Sequence, residues 1–232
     1  MPHANLLLLP GLLEDADAFE QLIAGIADVA VTVAADLTRA DNIPALAAEA
    51  LKQAPDGPLL VAGHSMGGYV ALEVMRQAPG RVQKLALLNT NARPDTPEST
   101  ENRRRLMALA DRDFEAVVTT LLPKLMTADH LKDPVLTGII GAMALGTGKE
   151  AFKRQQAAII GRIDSRPHLK DIRCPTVVVA ARDDQLMPVA VLQEMADGIP
   201  GARLAIVEEC GHMASLEQPD AVLAIVREWI KD

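Results

Sequence analysis

Residues 58–77 read PLLVAGHSMGGYVALEVMRQ, and this stretch decides the fold. Residues 58–62 have no polar alternation, which predicts a strand buried on both faces. A helix is predicted over residues 69–77. Between them, residues 63–67 form a G-x-S-x-G element, which needs a sharp strand-to-helix turn. Gly63 and Gly67 leave space where side chains would collide with the neighbouring backbone, so we expect the Ser65 hydroxyl to stand above the edge of the sheet.

Short apolar runs alternate with amphipathic stretches along most of the chain. Strands are predicted over residues 5–9, 29–34, 82–88, 176–180 and 202–207, and helices over residues 19–27, 43–53, 189–196 and 219–231. Strands of this kind, separated by helices, are typical of a parallel sheet that is covered on both faces. The pattern therefore predicts a doubly wound α/β fold.

One segment interrupts the alternation. Residues 93–98 are rich in helix and strand breakers, and four helical patterns follow, over residues 101–110, 114–124, 134–144 and 149–160. We predict that residues 92–168 form a helical insertion, and that residues 1–91 and 169–232 together form the core domain. The apolar side chains of the insertion either pack as its own core or line a pocket beneath it.

A serine hydroxyl is a weak nucleophile and needs a base. His212 lies in a Gly-His loop directly after the last predicted strand, at the sheet edge where a base for Ser65 would lie. His64 adjoins Ser65, but we expect its side chain to point away into packing. The remaining histidines are expected to be structural or solvated, or to lie in the N-terminal tail: His3, His130 and His168.

The base needs a carboxylate that holds its tautomer. Asp183 and Asp184 follow the strongest predicted strand, and the order Ser, Asp, His along the chain matches that of a known hydrolase arrangement. We favour Asp184, four residues before Pro188, and expect Asp183 to be solvated or to hold the loop.

An oxyanion that forms at Ser65 needs two hydrogen-bond donors. The backbone N–H of Met66, the residue after the nucleophile, is one candidate. The second is the N–H of Leu12, in the loop after the first strand; the alternative is that this loop is a plain turn.

These motifs resemble the α/β-hydrolase superfamily, and the residues that carry the resemblance are Gly63–Gly67, Asp184 with Pro188, and Gly211-His212 followed by Glu217-x-Pro219. The resemblance extends from Leu6 to the C-terminus except for the insertion, which corresponds to the variable cap of that family. It implies the α/β-hydrolase fold and, within the superfamily, similarity to small esterases and lactonases such as enol-lactone hydrolases and carboxylesterases. These need no cofactor and no metal.

The resemblance also implies a mechanism, acyl transfer to water through an acyl-enzyme. Ser65 would attack the carbonyl, His212 would transfer the proton, and Asp184 would orient His212. Two features depart from the family pattern. Pro10-Gly11 replaces the His-Gly of many relatives, which keeps the backbone donor but loses a side-chain contact. The extra N-terminal strands of larger relatives are absent, so we expect about six strands, mostly or entirely parallel.

Composition limits the partners. With 232 residues, 49% apolar and 23% charged, the chain is an ordinary globular domain, and its net charge of −8 makes it a poor ligand for nucleic acid. No apolar run approaches the roughly 18–20 residues that cross a membrane, and we expect a cytoplasmic protein. Two cysteines provide neither a disulfide framework nor a thiolate metal site. The expected partner is a small ester or lactone; the oligomeric state is not predicted.

The insertion is aliphatic and rich in methionine, which favours substrates with modest apolar bodies. Arg103, Arg104 and Arg105 form a solvated helix face or, alternatively, an anchor for a substrate carboxylate or an acidic carrier protein. Two other functions remain open on the same residues. One is a receptor that turns over slowly, and the other is a different reaction, such as carbon–carbon bond hydrolysis, perhydrolysis or cyanohydrin cleavage.

Overall fold

A computed structural model describes residues 4–231, so His3 lies outside the described residues. Six strands form one sheet: β1 (Ala4–Leu9), β2 (Ala30–Ala34), β3 (Leu59–His64), β4 (Val82–Leu88), β5 (Thr176–Ala181) and β6 (Arg203–Val207). Their order is β2-β1-β3-β4-β5-β6, and every neighbouring pair is parallel. The predicted α/β fold with six parallel strands is confirmed.

Helices cover both faces of this sheet. They are α1 (Glu20–Ile26), α2 (Ile43–Gln53), α3 (Met66–Gln77), α4 (Pro97–Ala110), α5 (Phe114–Leu125), α6 (Pro134–Thr147), α7 (Lys149–Ile160), α8 (Val189–Gly198), α9 (Ala214–Glu217) and α10 (Pro219–Lys231). Along β1, Leu7 and Leu9 pack with α2, α3 and α8, whereas Leu6 and Leu8 pack with α1 and α10. This two-residue alternation, with all four leucines fully buried, produces a core on each side of the sheet.

The strand order places two loops side by side. The chain proceeds from β1 to β2 at one edge and then returns to β3 on the other side of β1. Leu9 at the end of β1 is therefore in register with Gly63 near the end of β3. At such a switch point the loops extend from the carboxyl ends of neighbouring strands in opposite directions, and a crevice forms between the two loops.

Between β4 and β5 the chain forms α4 to α7. The N–H of Ser165 donates to the carbonyl of Ala92 at 2.8 Å, which joins the two ends of this segment. Its helices pack around Phe152 and Phe114, whose ring centroids are 5.8 Å apart, and they contact Leu13 in the loop after β1. The helical segment is thus held over the carboxyl edge of the sheet. The division of the chain into a core domain and a cap stays a prediction.

Two helices begin earlier than predicted. Helix α4 starts at Pro97 rather than at residue 101, because the side chain of Thr96 accepts the N–H of Ser99 and proline is well suited to the first helical position. Helix α3 starts at Met66 rather than at residue 69, and so it includes Gly67 and Gly68. Among residues 4–231, no helix has the length and apolar character that a membrane crossing requires.

Gly67 makes the closest backbone approach in this region. A Cβ there would overlap the carbonyl oxygens of Leu9 and Pro10, whereas a Cβ at Gly138 in α6 would contact nothing within 4 Å. We expect Gly67→Ala to lower the free energy of unfolding by at least about 2–3 kcal/mol, or to prevent folding. We expect the matched Gly138→Ala to raise it by up to about 1 kcal/mol. Urea denaturation of both variants measures this difference, and equal stabilities would contradict the packing described.

Candidate active site

Ser65 lies on a strained turn between β3 and α3. Its backbone has φ +50° and ψ −115°, a region that residues with a side chain rarely adopt. The end of β4 holds this conformation: the Ser65 N–H donates to the carbonyl of Leu88 at 3.0 Å, and the Thr90 hydroxyl donates to the carbonyl of Ser65 at 2.7 Å. The structure also confirms why a glycine is needed at position 63: a Cβ there would overlap the backbone of Gly67.

His212 contacts both of its predicted partners. Its Nε2 lies 2.8 Å from Oγ of Ser65, and its Nδ1 lies 2.8 Å from Oδ2 of Asp184. His212 and Asp184 are only 2% and 5% exposed. Because an ionised carboxylate only accepts hydrogen bonds, Nδ1 carries the ring hydrogen and donates a hydrogen bond to Asp184. The neutral ring then presents Nε2 as an acceptor to the Ser65 hydroxyl.

The carboxylate of Asp184 is fully engaged. Its Oδ2 also accepts the side-chain amide of Asn89 at 2.9 Å, and its Oδ1 accepts the N–H groups of Leu186 and Met187 at 2.8 and 3.0 Å. Burial would raise the pKa of Asp184. The Coulombic attraction to the protonated form of His212 and the hydrogen bonds from His212, Asn89 and Met187 outweigh burial, and they hold this pKa below its ordinary value.

Asp183 takes a different place. It is exposed, and its N–H donates to the carbonyl of Cys210 at 2.9 Å, which joins its loop to the loop before His212.

Sequence reasoning did not identify Asn89. The available signal was its place directly after β4, since the carboxyl ends of parallel strands meet at one edge.

In the loop after β1, the backbone donors on both sides of Leu12 have acceptors. The N–H of Gly11 donates to Oε2 of Glu14 at 2.8 Å, and the N–H of Leu13 donates to Oε1 of Gln155 at 3.0 Å. Between them, the N–H of Leu12 has no acceptor within residues 4–231. Met66 is the first residue of α3, where a helix provides no acceptor for the N–H and carries its positive dipole end. Leu12, Met66 and Ser65 line one cavity.

His64 is buried, as expected, but its contacts are polar. Its Nδ1 lies 2.9 Å from both carboxylate oxygens of Glu14, and its Nε2 lies 2.8 Å from the carbonyl oxygen of His212. Since both ring nitrogens face acceptors, the ring donates twice and is an imidazolium. Burial would lower the pKa of His64, but the Glu14 charge and these hydrogen bonds raise it above its usual value. The pair joins the loop after β1, the Ser65 turn and the His212 loop.

Glu217 ties the His212 loop to the helical segment. Its Oε1 accepts the N–H of Met213 at 3.2 Å, and its Oε2 accepts the N–H of Thr127 and Nδ1 of His130 at 2.9 and 2.8 Å. The Met213 N–H also donates to the carbonyl of Leu125, the last residue of α5, at 3.0 Å. His130 is therefore engaged in a structural contact. His168, by contrast, is exposed.

A cavity of about 320 Å³ lies between Ser65 and the helical segment. Its apolar lining from that segment consists of Leu106, Val118, Leu121, Leu125, Ile140, Met143, Ala144 and Ile159. Other apolar residues of the segment are buried away from it, Val117 and Met126 among them. Within residues 4–231, no three His, Cys, Asp or Glu side chains are grouped so that they could hold a metal ion.

The sequence matches the family model described as the alpha/beta hydrolase family over residues 6–225. The chain belongs to the alpha/beta hydrolase family. Its structure is similar to that of a thermophilic esterase from Thermogutta terrifontis, solved with malate bound, with a TM-score of 0.91. That comparison has 27% sequence identity and covers 98% of this chain and 89% of the esterase.

The curated relatives of this alpha/beta hydrolase include proteins with two different functional names. A putative carbamate hydrolase, RutD, from Azorhizobium caulinodans is 33% identical over 69% of this chain, and the alignment covers 61% of the relative's length. A pimeloyl-[acyl-carrier protein] methyl ester esterase from Aromatoleum aromaticum is 27% identical over 78% of this chain and 77% of the esterase.

The His64–Glu14 pair makes stability depend on pH. Because the folded-state pKa of His64 is raised, the pair stabilises the fold fully below the unfolded pKa of about 6.5, and this contribution is lost as the pH rises through the folded pKa. We expect Glu14→Gln to lower the free energy of unfolding by about 3 kcal/mol at pH 6. The difference from the unsubstituted hydrolase should narrow toward alkaline pH.

Urea denaturation at pH 6 and at successively more alkaline pH measures the free energy of unfolding of the variant and of the unsubstituted protein. Glu101→Gln is the control, since Glu101 forms an exposed pair with Arg105 and its removal should leave stability unchanged. A loss for Glu14→Gln that is the same at every pH would show that His64 is not the titrating partner.

Proposed function

We propose that the protein is a serine hydrolase that cleaves a carboxylic ester or lactone through an acyl-enzyme. The observation that carries this proposal is the position of the His212 ring, 2.8 Å from Ser65 Oγ on one side and 2.8 Å from Asp184 Oδ2 on the other. This arrangement opens into a largely apolar cavity that accommodates a small acyl group. The esterase names of a structural neighbour and of a curated relative support the same chemistry.

In the first half of the reaction, Ser65 Oγ attacks the carbonyl carbon as Nε2 of His212 takes its proton. The carbonyl oxygen becomes an oxyanion, which the N–H groups of Met66 and Leu12 stabilise. Asp184 stabilises the imidazolium that forms, because its carboxylate remains ionised and accepts Nδ1–H. The carbon–oxygen bond of the ester then breaks, the alkoxide takes the proton from Nε2, and the acyl group stays on Ser65.

Water completes the cycle. Nε2 of His212 removes a proton from water as the water attacks the acyl carbon, and the same proton then returns to Ser65 Oγ when the acyl bond breaks. Product acid leaves, and the enzyme is regenerated. With a lactone the alcohol and the acid remain in one molecule, so the product is a hydroxy acid.

Covalent labelling tests the nucleophile. We expect a fluorophosphonate to label the protein at Ser65, with complete loss of labelling in Ser65→Ala and full retention in Ser99→Ala, a serine that lines the same cavity. A pre-steady-state burst with p-nitrophenyl butyrate should accompany labelling, since an acyl-enzyme releases the first product before water attacks.

The outcomes separate the competing functions. Labelling and esterase turnover that persist in Ser65→Ala would refute the assignment of Ser65. Labelling of Ser65 with no turnover of esters or lactones would instead favour the slow receptor or a different reaction at these residues.

A pair of aspartate substitutions tests the orienting acid. We expect Asp184→Asn to lower kcat by about 10⁴-fold, because its amide donates to His212 and favours the wrong tautomer. Asp183→Asn should change kcat little, since that side chain is exposed. Thermal melts establish that both variants are folded, and equal losses of kcat would contradict the proposal.

A further inference from the structure

The cavity has a charge opposite to that of the chain. The chain carries a net charge of −8, yet four cationic side chains line the cavity: Arg93, Arg103, Lys124 and Arg162. Two carboxylates, Glu14 and Asp95, lie among them. Glu14 is engaged by the buried His64 imidazolium, and Arg93 is paired with Glu194 at 2.7 Å, so the excess positive charge belongs to the other cations of the lining. Cationic residues in a low-dielectric cavity concentrate anions.

Asp95 is shared by two arginines. Its Oδ1 lies 3.2 Å from Nε of Arg103 and 2.9 Å from Nη1 of Arg162, and its side chain is only 1% exposed. Burial would raise the pKa of Asp95, but the Thr100 hydroxyl and the two arginines hold it below its usual value. The cluster therefore contains two positive charges and one negative charge. In both arginines, Nη2 donates no hydrogen bond within residues 4–231.

Gln156 adds a buried donor without a partner. Its Oε1 accepts Nη1 of Arg103 at 2.9 Å, which assigns the other terminal atom as the amide nitrogen. That Nε2 has no hydrogen-bond partner within residues 4–231, although Gln156 is 1% exposed and lines the cavity. A buried donor without a partner is costly, so an acceptor on a ligand would gain by binding here.

We propose that Arg103, Arg162 and Gln156 bind a free carboxylate of the substrate, which makes the substrate an ester or lactone that also carries a carboxylate. This inference rests on the proposed function. A neutral carbonyl group would satisfy Gln156 but leave the excess charge, whereas a carboxylate satisfies both and matches the arginine fork. The cluster lines the cavity, which favours a small molecule over an acidic carrier protein at this position.

Matched pairs of substrates test the charge. On the acyl side, 4-nitrophenyl hydrogen adipate is compared with its neutral amide, 4-nitrophenyl adipamate. On the alcohol side, 4-carboxyphenyl butyrate is compared with 4-carbamoylphenyl butyrate. Each pair differs by one charge at nearly constant shape. We expect kcat/KM to be about 10- to 100-fold higher for the anionic member of at least one pair.

Three variants locate the effect. Arg103→Met removes a charge from the cluster, and Gln156→Glu places a carboxylate against Arg103 at nearly constant shape. Both should reduce the anionic-to-neutral ratio of kcat/KM by at least about tenfold. Arg104→Met is the control, because Arg104 is on the same helix but is exposed and does not line the cavity. It should leave the ratio unchanged.

The anionic-to-neutral ratio of kcat/KM distinguishes a loss of carboxylate binding from a structural disturbance. A structural disturbance lowers kcat/KM for both members of a pair and leaves their ratio unchanged. Hydrolysis of the neutral esters with a ratio near one for both pairs would overturn the carboxylate site and leave the proposed function intact. A high ratio that Arg103→Met and Gln156→Glu do not change would also overturn it. Absence of hydrolysis with every substrate, together with no labelling of Ser65, would overturn both proposals.

Discussion

The contact on which the site depends is the approach of α3 to the end of β1. Gly67 lies so close to the carbonyl groups of Leu9 and Pro10 that no side chain fits between them. This approach brings the first N–H groups of α3 beside the loop after β1. It also forces the chain through the strained backbone of Ser65, because the strand must turn into a helix at once. Close packing thus exposes a hydroxyl and collects backbone donors around it.

A buried charge pair then connects the parts of the site that packing alone leaves separate. The Glu14 carboxylate accepts a hydrogen bond from the Gly11 N–H, and both of its oxygens contact Nδ1 of His64. The other ring nitrogen of His64, Nε2, contacts the carbonyl oxygen of His212. The loop that presents Leu12 and the loop that presents His212 are therefore held through one side chain. A buried ion pair is a weak source of stability, and its geometric role explains its place in this site better.

Much of this fold could be predicted from the sequence, since strands buried on both faces leave uninterrupted apolar runs. The residues that follow such strands were also predictable as site candidates: Ser65 after β3, Asp184 after β5 and His212 after β6. Asn89 follows β4 in the same way, but neither its hydrogen-bond partner nor the role of Glu14 could be predicted, for a physical reason. Their roles arise only when loops that are distant in sequence meet, 95 residues apart for Asn89 and Asp184 and 50 for Glu14 and His64. No local periodicity reports such a contact.

The Glu217 junction has a consequence for modular evolution of the fold. The helical segment could be exchanged between relatives as a unit, since Ala92 and Ser165 join at its base. Its far end is not independent, however. Leu125, Thr127 and His130 form hydrogen bonds with the backbone and side chain that fix the His212 loop. A chimaera that retained this core but received a foreign segment would disturb the His212 loop unless the Leu125 carbonyl, the Thr127 N–H and the His130 side chain were reproduced in the new segment.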